Sequence, residues 1–168
     1  LYADGLTPEP QRIFDALETL HQTLAQHLQD IWPQLHAAHQ IQEPYAPNAQ
    51  QTNARALANR ALVYLTRIDA GEAAKKQVDT ANNMTQQQAA LSALLSVEKG
   101  AEQEQAFYRQ WKEDRLVIDK WFALQVAFAP PEKAAIVAKS LTQHEDFNWK
   151  NPNRFRAVMG ALTGHHAG

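Results

Sequence analysis

The sequence predicts an all-α protein. Of its 168 residues, 45% are hydrophobic and only 6 are glycine, while alanine and glutamine, which favour helices, dominate. The apolar residues recur at intervals of three and four, the spacing of one helix face, rather than at the interval of two that marks a strand. We expect an α-solenoid, or superhelix, of antiparallel helix pairs. An irregular helical bundle is the alternative, because no repeat of fixed length is visible.

Two apolar stripes predict the first long helices. One stripe starts after Pro10, and the other begins near Thr52 and stops at Gly71. A short helical turn is expected between them at residues 33–39. The first stripe consists of Ile13, Leu17, Leu20, Leu24 and Leu28, and the second of Leu57, Ala61, Leu62, Leu65 and Ile68.

An extended segment separates these two helices. Pro44 and Pro47 each remove a backbone donor and bias the preceding residue away from helix. We therefore expect a loop or internal boundary near residues 41–51, within one helical domain that covers residues 1–168.

The second half of the chain carries shorter predicted helices. A weak one covers residues 72–81, and Thr85 is placed to cap the next. Helices are then expected around Phe107, at residues 116–128, which should be the most buried, and after Pro131. Asn151 and Pro152 predict an N-cap followed by proline at the first position of the last helix. Its stripe is Phe155, Val158, Met159 and Leu162, and the helix after Pro131 carries Ile136, Val137 and Leu141.

Composition excludes several classes of function. The formal net charge is −2 and the sequence pI is about 6.4, without the clustered excess of lysine and arginine that nucleic-acid binding needs. No apolar run approaches the roughly 20 residues that span a bilayer, and no attached signal peptide is expected at the N-terminus. The chain has no cysteine, which excludes a disulfide scaffold and weakly favours the cytoplasm.

No set of residues forms a self-contained active site. His36 and His39 could share a helix face with a metal ion, but no carboxylate lies at the matching spacing. His144 and Glu145 begin a zinc-peptidase pattern, yet position 148 is Asn148 where that pattern needs a second histidine. Neither a catalytic triad nor a glycine-rich phosphate loop can be argued, so we expect no metal and no catalytic residue here.

Two charged residues enter the most apolar predicted helix. Asp119 and Lys120 precede Trp121 and Phe122. Charges in such a position usually pair with each other or with a neighbouring helix, so a structural ion pair is expected rather than catalysis. Trp121 and Phe122 are expected to be core residues.

Two arginines flank an aromatic residue at the start of the last helix. We expect Phe155 to face the core, so Arg154 and Arg156 should both turn toward the other side, which from spacing alone favours a solvated face.

Three segments, in this order and separation, resemble the C-terminal helical domain of bacterial aminopeptidase N. The resemblance is strongest from Ala81 to Gly160, and the helices from about Pro10 to Gly71 fit more loosely. The segments are Ala81-Asn82-Asn83-Met84-Thr85 with Ala89-Ala90-Leu91-Ser92-Ala93-Leu94, Leu116-Val117-Ile118-Asp119-Lys120-Trp121-Phe122-Ala123-Leu124-Gln125, and Asn151-Pro152-Asn153-Arg154-Phe155-Arg156.

The resemblance implies a non-catalytic part of a larger enzyme. Members of the family are multi-domain zinc aminopeptidases that remove N-terminal residues from peptides, with zinc held in an earlier catalytic domain whose motifs do not occur in this sequence. The helical domain packs over that catalytic domain and encloses a cavity that controls peptide access. The resemblance assigns Arg156, and beside it Arg154, to the lining of this cavity, where a guanidinium could bind a peptide carboxylate.

The sequence departs from the family in one respect. Members continue for several more helices beyond the segment that matches Ala157 to Leu162, so we expect a piece that ends before its domain does. The expected partners are the catalytic domain of the parent polypeptide and the peptide substrate. Two alternatives stay open: a stand-alone helical module that binds a partner protein, and a metal-binding bundle that uses His36 and His39.

Overall fold

A computed structural model of the chain describes residues 4–5, 7–165 and 167. The described residues form α-helices and short turns and contain no strand. The α-helices are α1 (Pro10–His27), α2 (Ile31–Ala38), α3 (Ala49–Ile68), α4 (Glu72–Thr80), α5 (Met84–Leu95), α6 (Ala101–Trp111), α7 (Val117–Ala127), α8 (Ala134–Leu141) and α9 (Pro152–Thr163). The prediction of an all-α chain is confirmed.

The chain divides into two compact units. One consists of Leu20–Glu104, and the other combines Leu1–Thr19 with Gln105–Gly168. The loop near residues 41–51 lies inside the first of these units. No helix among the described residues is both long and apolar enough to cross a membrane.

In the unit Leu20–Glu104, α3 packs against α2, α4 and α5, and α4 packs against α5. Leu62, Leu91 and Leu94 are completely buried in its core. Gly71 adopts φ 87° in the turn from α3 to α4, and a Cβ atom there would lie 2.8 Å from Leu94 Cδ2. Glycine is thus required both by the left-handed conformation and by the close packing.

The extended segment between α2 and α3 is held against α3. The side chain of Gln51 accepts a hydrogen bond from the Ala46 amide at 2.8 Å and donates one to the Pro44 carbonyl at 3.0 Å. Arg55 is buried, donates to the Ala46 carbonyl at 3.2 Å, and lies 4.8 Å from the centroid of the Tyr45 ring. The prolines prevent this segment from forming a helix, so its backbone groups need other hydrogen-bond partners. The side chains of Gln51 and Arg55 provide them.

In the other unit, α7 packs against α9 and α8, and α8 packs against α9. The fully or almost fully buried side chains include Phe107, Phe122, Val126 and Val158. Trp121 is 4% exposed, so the expectation that Trp121 and Phe122 are core residues is confirmed.

Three local expectations are wrong. Thr85 does not cap α5; Asn83 does, because its extended backbone lets its side chain accept a hydrogen bond from the Gln86 amide at 3.0 Å. Phe155 does not face the core, since it is 40% exposed. Arg154 does not lie on a solvated face, since it is only 6% exposed.

The apolar stripe of α1 is also largely uncovered. Ile13, Leu17 and Leu20 are between 43% and 50% exposed, and Ala25 is the only residue that is buried among the described residues of this helix. The stripe forms a helix as its spacing predicts, but burial of its face does not follow from the spacing alone.

Candidate functional site

The first turn of α9 positions the two arginines that the sequence singles out. Asn151 is the N-cap, and its side-chain oxygen accepts hydrogen bonds from the amides of Asn153 at 3.0 Å and Arg154 at 3.3 Å. Pro152 occupies the first helical position, where its missing N–H costs no hydrogen bond. The predicted cap is therefore confirmed.

Arg154 is buried, with only 6% of its surface exposed. Its Nε donates to Asp119 Oδ1 on α7, and its Nη1 donates to the backbone carbonyl of Asp146 in the loop before α9. The guanidinium carbon also lies 4.7 Å from the centroid of the Phe122 ring, within the range of a cation–π contact. The side chain of Arg154 thus connects α9 to α7 and to the loop before α9.

The structural ion pair expected at Asp119 is present, but its partner is Arg154. The two side chains are only 15% and 7% exposed. Thirty-five positions separate these residues, and helix periodicity gives no means of pairing charges so far apart. The pair joins two of the three segments that carry the family resemblance.

Arg156 lies on the opposite side of α9 from Arg154. Residues two apart on an α-helix are separated by about 200° around its axis. Because Arg154 is drawn into the core, Arg156 is directed away from it, and its side chain is exposed. The two candidate residues therefore differ in environment: Arg154 is held by protein groups, while Arg156 is accessible.

A hydrogen-bonded tyrosine lies next to this junction. Tyr108 donates its hydroxyl hydrogen to Asp146 Oδ2 at 2.6 Å. This hydrogen bond, followed by burial and by the negative charges of Asp146 and Glu145, raises the pKa of Tyr108 to about 12. The phenol therefore stays protonated at neutral pH and acts as a fixed donor.

His144 fits into an aromatic cluster in the same loop. Its ring meets those of Tyr108, Trp121 and Phe122 edge-on, with centroids between 5.1 and 5.6 Å apart. Its Nδ1 accepts a hydrogen bond from the Asp146 amide at 3.1 Å, which assigns the ring proton of the neutral form to Nε2. The sequence pointed to His144 only through an incomplete zinc pattern, and its contacts here are those of a packing residue.

No group of three or more metal-ligating side chains is brought together in the described part of the chain. His36 Nε2 instead lies 3.1 Å from the Gln77 side-chain oxygen, and His39 Nδ1 lies 2.9 Å from the Leu35 carbonyl. The two histidines named by the metal-binding alternative are each engaged with protein groups.

The chain is similar to parts of larger proteins. A family model described as "Domain of unknown function (DUF3458_C) ARM repeats" matches residues 2–168. Aminopeptidase N of Escherichia coli is 34% identical over 161 residues, which cover 93% of this chain and 18% of that protein. Aminopeptidase N of Haemophilus influenzae is 32% identical over 166 residues, covering 95% of this chain and again 18% of the relative.

A solved structure is also similar to this chain over a small part of its own length. The crystal structure of Legionella pneumophila aminopeptidase A in complex with aspartic acid matches with a TM-score of 0.80 at 25% identity, over 92% of this chain and 20% of that one. The chain thus spans about a fifth of the length of the relatives it matches. ARM repeats are stacked helical units, so the prediction of an α-solenoid rather than an irregular bundle is confirmed.

Proposed function

The chain belongs to the family of DUF3458_C ARM repeats, and we propose that it is the non-catalytic C-terminal helical domain of a zinc aminopeptidase. Such an enzyme would remove N-terminal residues from peptides. The observation that carries the proposal is the match to the C-terminal part of aminopeptidases over more than nine-tenths of this chain.

The proposal places the zinc ion and its ligands in the catalytic domain of the parent protein. In support, the zinc-peptidase pattern is incomplete at Asn148. No chemical step is therefore assigned to this chain. Its contribution is to bind and orient peptides and to restrict their access to the catalytic domain.

Arg156 is the residue proposed to contact the peptide. It is exposed near the N-terminus of α9, and it corresponds to the arginine that the family resemblance assigns to the cavity. A guanidinium presents two parallel N–H donors that match the two oxygens of a carboxylate. Arg156 would thus hold the C-terminal carboxylate of a short peptide, while Arg154 has a positioning role.

The positioning role of Arg154 rests on its contacts. Its bonds to Asp119 and to the Asp146 carbonyl fix the rotation of α9 about its own axis. That rotation sets the direction of Arg156. The buried pair of Arg154 and Asp119 would therefore orient Arg156 toward the peptide without binding the peptide itself.

The proposal is tested by hydrolysis of alanine and arginine anilides with added zinc. We expect no activity from the purified 168-residue chain and activity from the product of the complete reading frame that encodes it. Activity of the 168-residue chain would contradict the non-catalytic role. Inactivity of both would contradict the aminopeptidase assignment and favour a stand-alone interaction module.

A further inference from the structure

His144 Nδ1 holds the loop that joins α8 to α9. It accepts a hydrogen bond from the Asp146 amide at 3.1 Å. A backbone amide nitrogen can only donate, so the direction of this bond is determined and Nδ1 carries no hydrogen. The ring contacts of His144 are those of a packing residue, but this hydrogen bond exists only while the imidazole is neutral.

Asp146 connects His144 to two other elements. Its Oδ2 accepts from the Tyr108 hydroxyl on α6 at 2.6 Å, and its backbone carbonyl accepts from Arg154 Nη1 on α9. The amide bound to His144 and the carbonyl bound to Arg154 belong to the two peptide groups that meet at the Asp146 Cα atom. A change at His144 therefore acts on the same residue that holds the buried guanidinium.

Protonation of His144 removes the acceptor of the Asp146 amide. A histidinium donates from both ring nitrogens, so its Nδ1–H would point at the Asp146 N–H. Asp146 Oδ2 lies 4.0 Å from Nδ1, too far for a hydrogen bond but close enough to attract a positively charged ring. The His144 side chain is 26% exposed, so a proton can reach it from solvent.

The elements around the His144 ring also carry other charged and titratable groups. These are Tyr108 on α6, Asp119 on α7, the exposed Lys139 in the last turn of α8, Arg154 on α9, and Glu145 and Asp146 in the loop. Arg154 and Asp119 form an ion pair whose charges oppose each other, and Tyr108 is neutral at neutral pH. The carboxylates of Glu145 and Asp146 remain, and they favour a positive charge on His144.

We propose that His144 is a proton switch for this loop. When a proton from solvent binds Nδ1, the new Nδ1–H donates to the Asp146 carboxylate, and the Asp146 amide loses its acceptor. Tyr108 then shares the carboxylate with His144, and the peptide groups of Asp146, one of which holds Arg154, reorient. Histidine is the side chain that ordinarily changes its charge between about pH 5 and 8. The inference rests on these contacts and not on the aminopeptidase assignment.

The test follows the ¹⁵N-labelled 168-residue chain by NMR from about pH 8 to about pH 5. At the upper pH we expect the ring of His144 to carry its hydrogen on Nε2. As the pH falls, the Asp146 amide signal should move upfield, because the amide loses its hydrogen bond, along the same curve as the ring nitrogens of His144. The guanidinium signals of Arg154 should follow that curve as well.

Two variants assign the effect to His144. His144→Phe keeps an aromatic ring in the cluster but can neither accept the amide hydrogen nor bind a proton, so the Asp146 and Arg154 signals should stay constant over the same range. His27→Gln changes an exposed histidine of the other unit and should leave the wild-type curves unchanged.

Four results would overturn the proposal. A hydrogen on Nδ1 of the neutral ring would contradict it, and so would a His144 that stays neutral down to about pH 5. An Asp146 amide signal that does not follow His144, or one that still moves in His144→Phe, would contradict it as well. The first three results need only the wild-type protein, so the test does not depend on the folding of the variant.

Discussion

At the scale of single residues, the contacts of Arg154 and Asp119 organise the start of α9. The sequence predicts an ion pair at Asp119 and singles out Arg154, but it does not connect them, because their pairing depends on how α7 packs against α9. The expectation that Phe155 faces the core fails for a related reason. Helix spacing treats arginine as a surface residue, whereas a guanidinium with a carboxylate, a carbonyl and an aromatic ring as partners can be buried.

Asp119→Asn tests the contribution of this pair to stability. The substitution leaves the buried guanidinium of Arg154 without its counter-charge, so we expect the free energy of unfolding in urea to fall by about 3 kcal/mol. Glu132→Gln, the same chemical change at an exposed position, should alter it by less than about 0.5 kcal/mol. Equal effects of the two substitutions would show that the pair does not stabilise the fold.

Tyr108 predicts a dependence of stability on alkaline pH. Its pKa is about 12 in the folded chain against an ordinary value of 10.0, so the folded state binds the phenol proton more tightly than the unfolded state. This contribution to stability is complete below pH 10 and is lost as the pH rises toward 12.

The comparison with Tyr108→Phe isolates this effect, because other groups titrate in both proteins. We expect the difference in the free energy of unfolding between the wild type and the variant to shrink between about pH 10 and pH 12. A difference that stays constant over this range would mean that the hydrogen bond to Asp146 does not perturb the phenol.

At the scale of helices, the presence of a helix was easier to predict than its ends or the face that it buries. Residues 116–128 were expected to form the most buried helix. Five of the 11 residues of α7 are buried, a larger share than the six of 20 in α3 or the five of 12 in α5. The stripe of α1 correctly predicts a helix, yet Leu17 and Leu20 are about half exposed. Periodicity shows which residues share a face, but what covers that face depends on neighbours that the pattern does not contain.

The start of α5 gives a test at this scale. Asn83→Ala removes the side-chain oxygen that accepts from the Gln86 amide and should lower the free energy of unfolding by about 1 kcal/mol. Thr85→Ala, which changes an exposed residue inside the helix, should have little effect or stabilise slightly, since alanine has the higher helix propensity. If Thr85→Ala instead lowered the free energy of unfolding in urea more than Asn83→Ala does, Thr85 would be the cap.

At the scale of the whole molecule, the fold class followed from composition and period, whereas the proposed function depends on family membership. Nothing in the spacing of Arg156 distinguishes a peptide contact from an ordinary surface arginine. The structure adds that Arg156 is exposed and that Arg154, on the same turn of the helix, is buried.

The most direct test of the account measures KM for Arg156→Ala in the product of the complete reading frame. The substrates are a tripeptide with a free C-terminal carboxylate and the same tripeptide amidated. Loss of a charge-assisted contact should raise KM for the free acid by about tenfold or more and leave that of the amide nearly unchanged. Arg115→Ala, at another exposed arginine, should alter neither value. If Arg156→Ala changes KM for both peptides equally or for neither, Arg156 does not bind the peptide carboxylate.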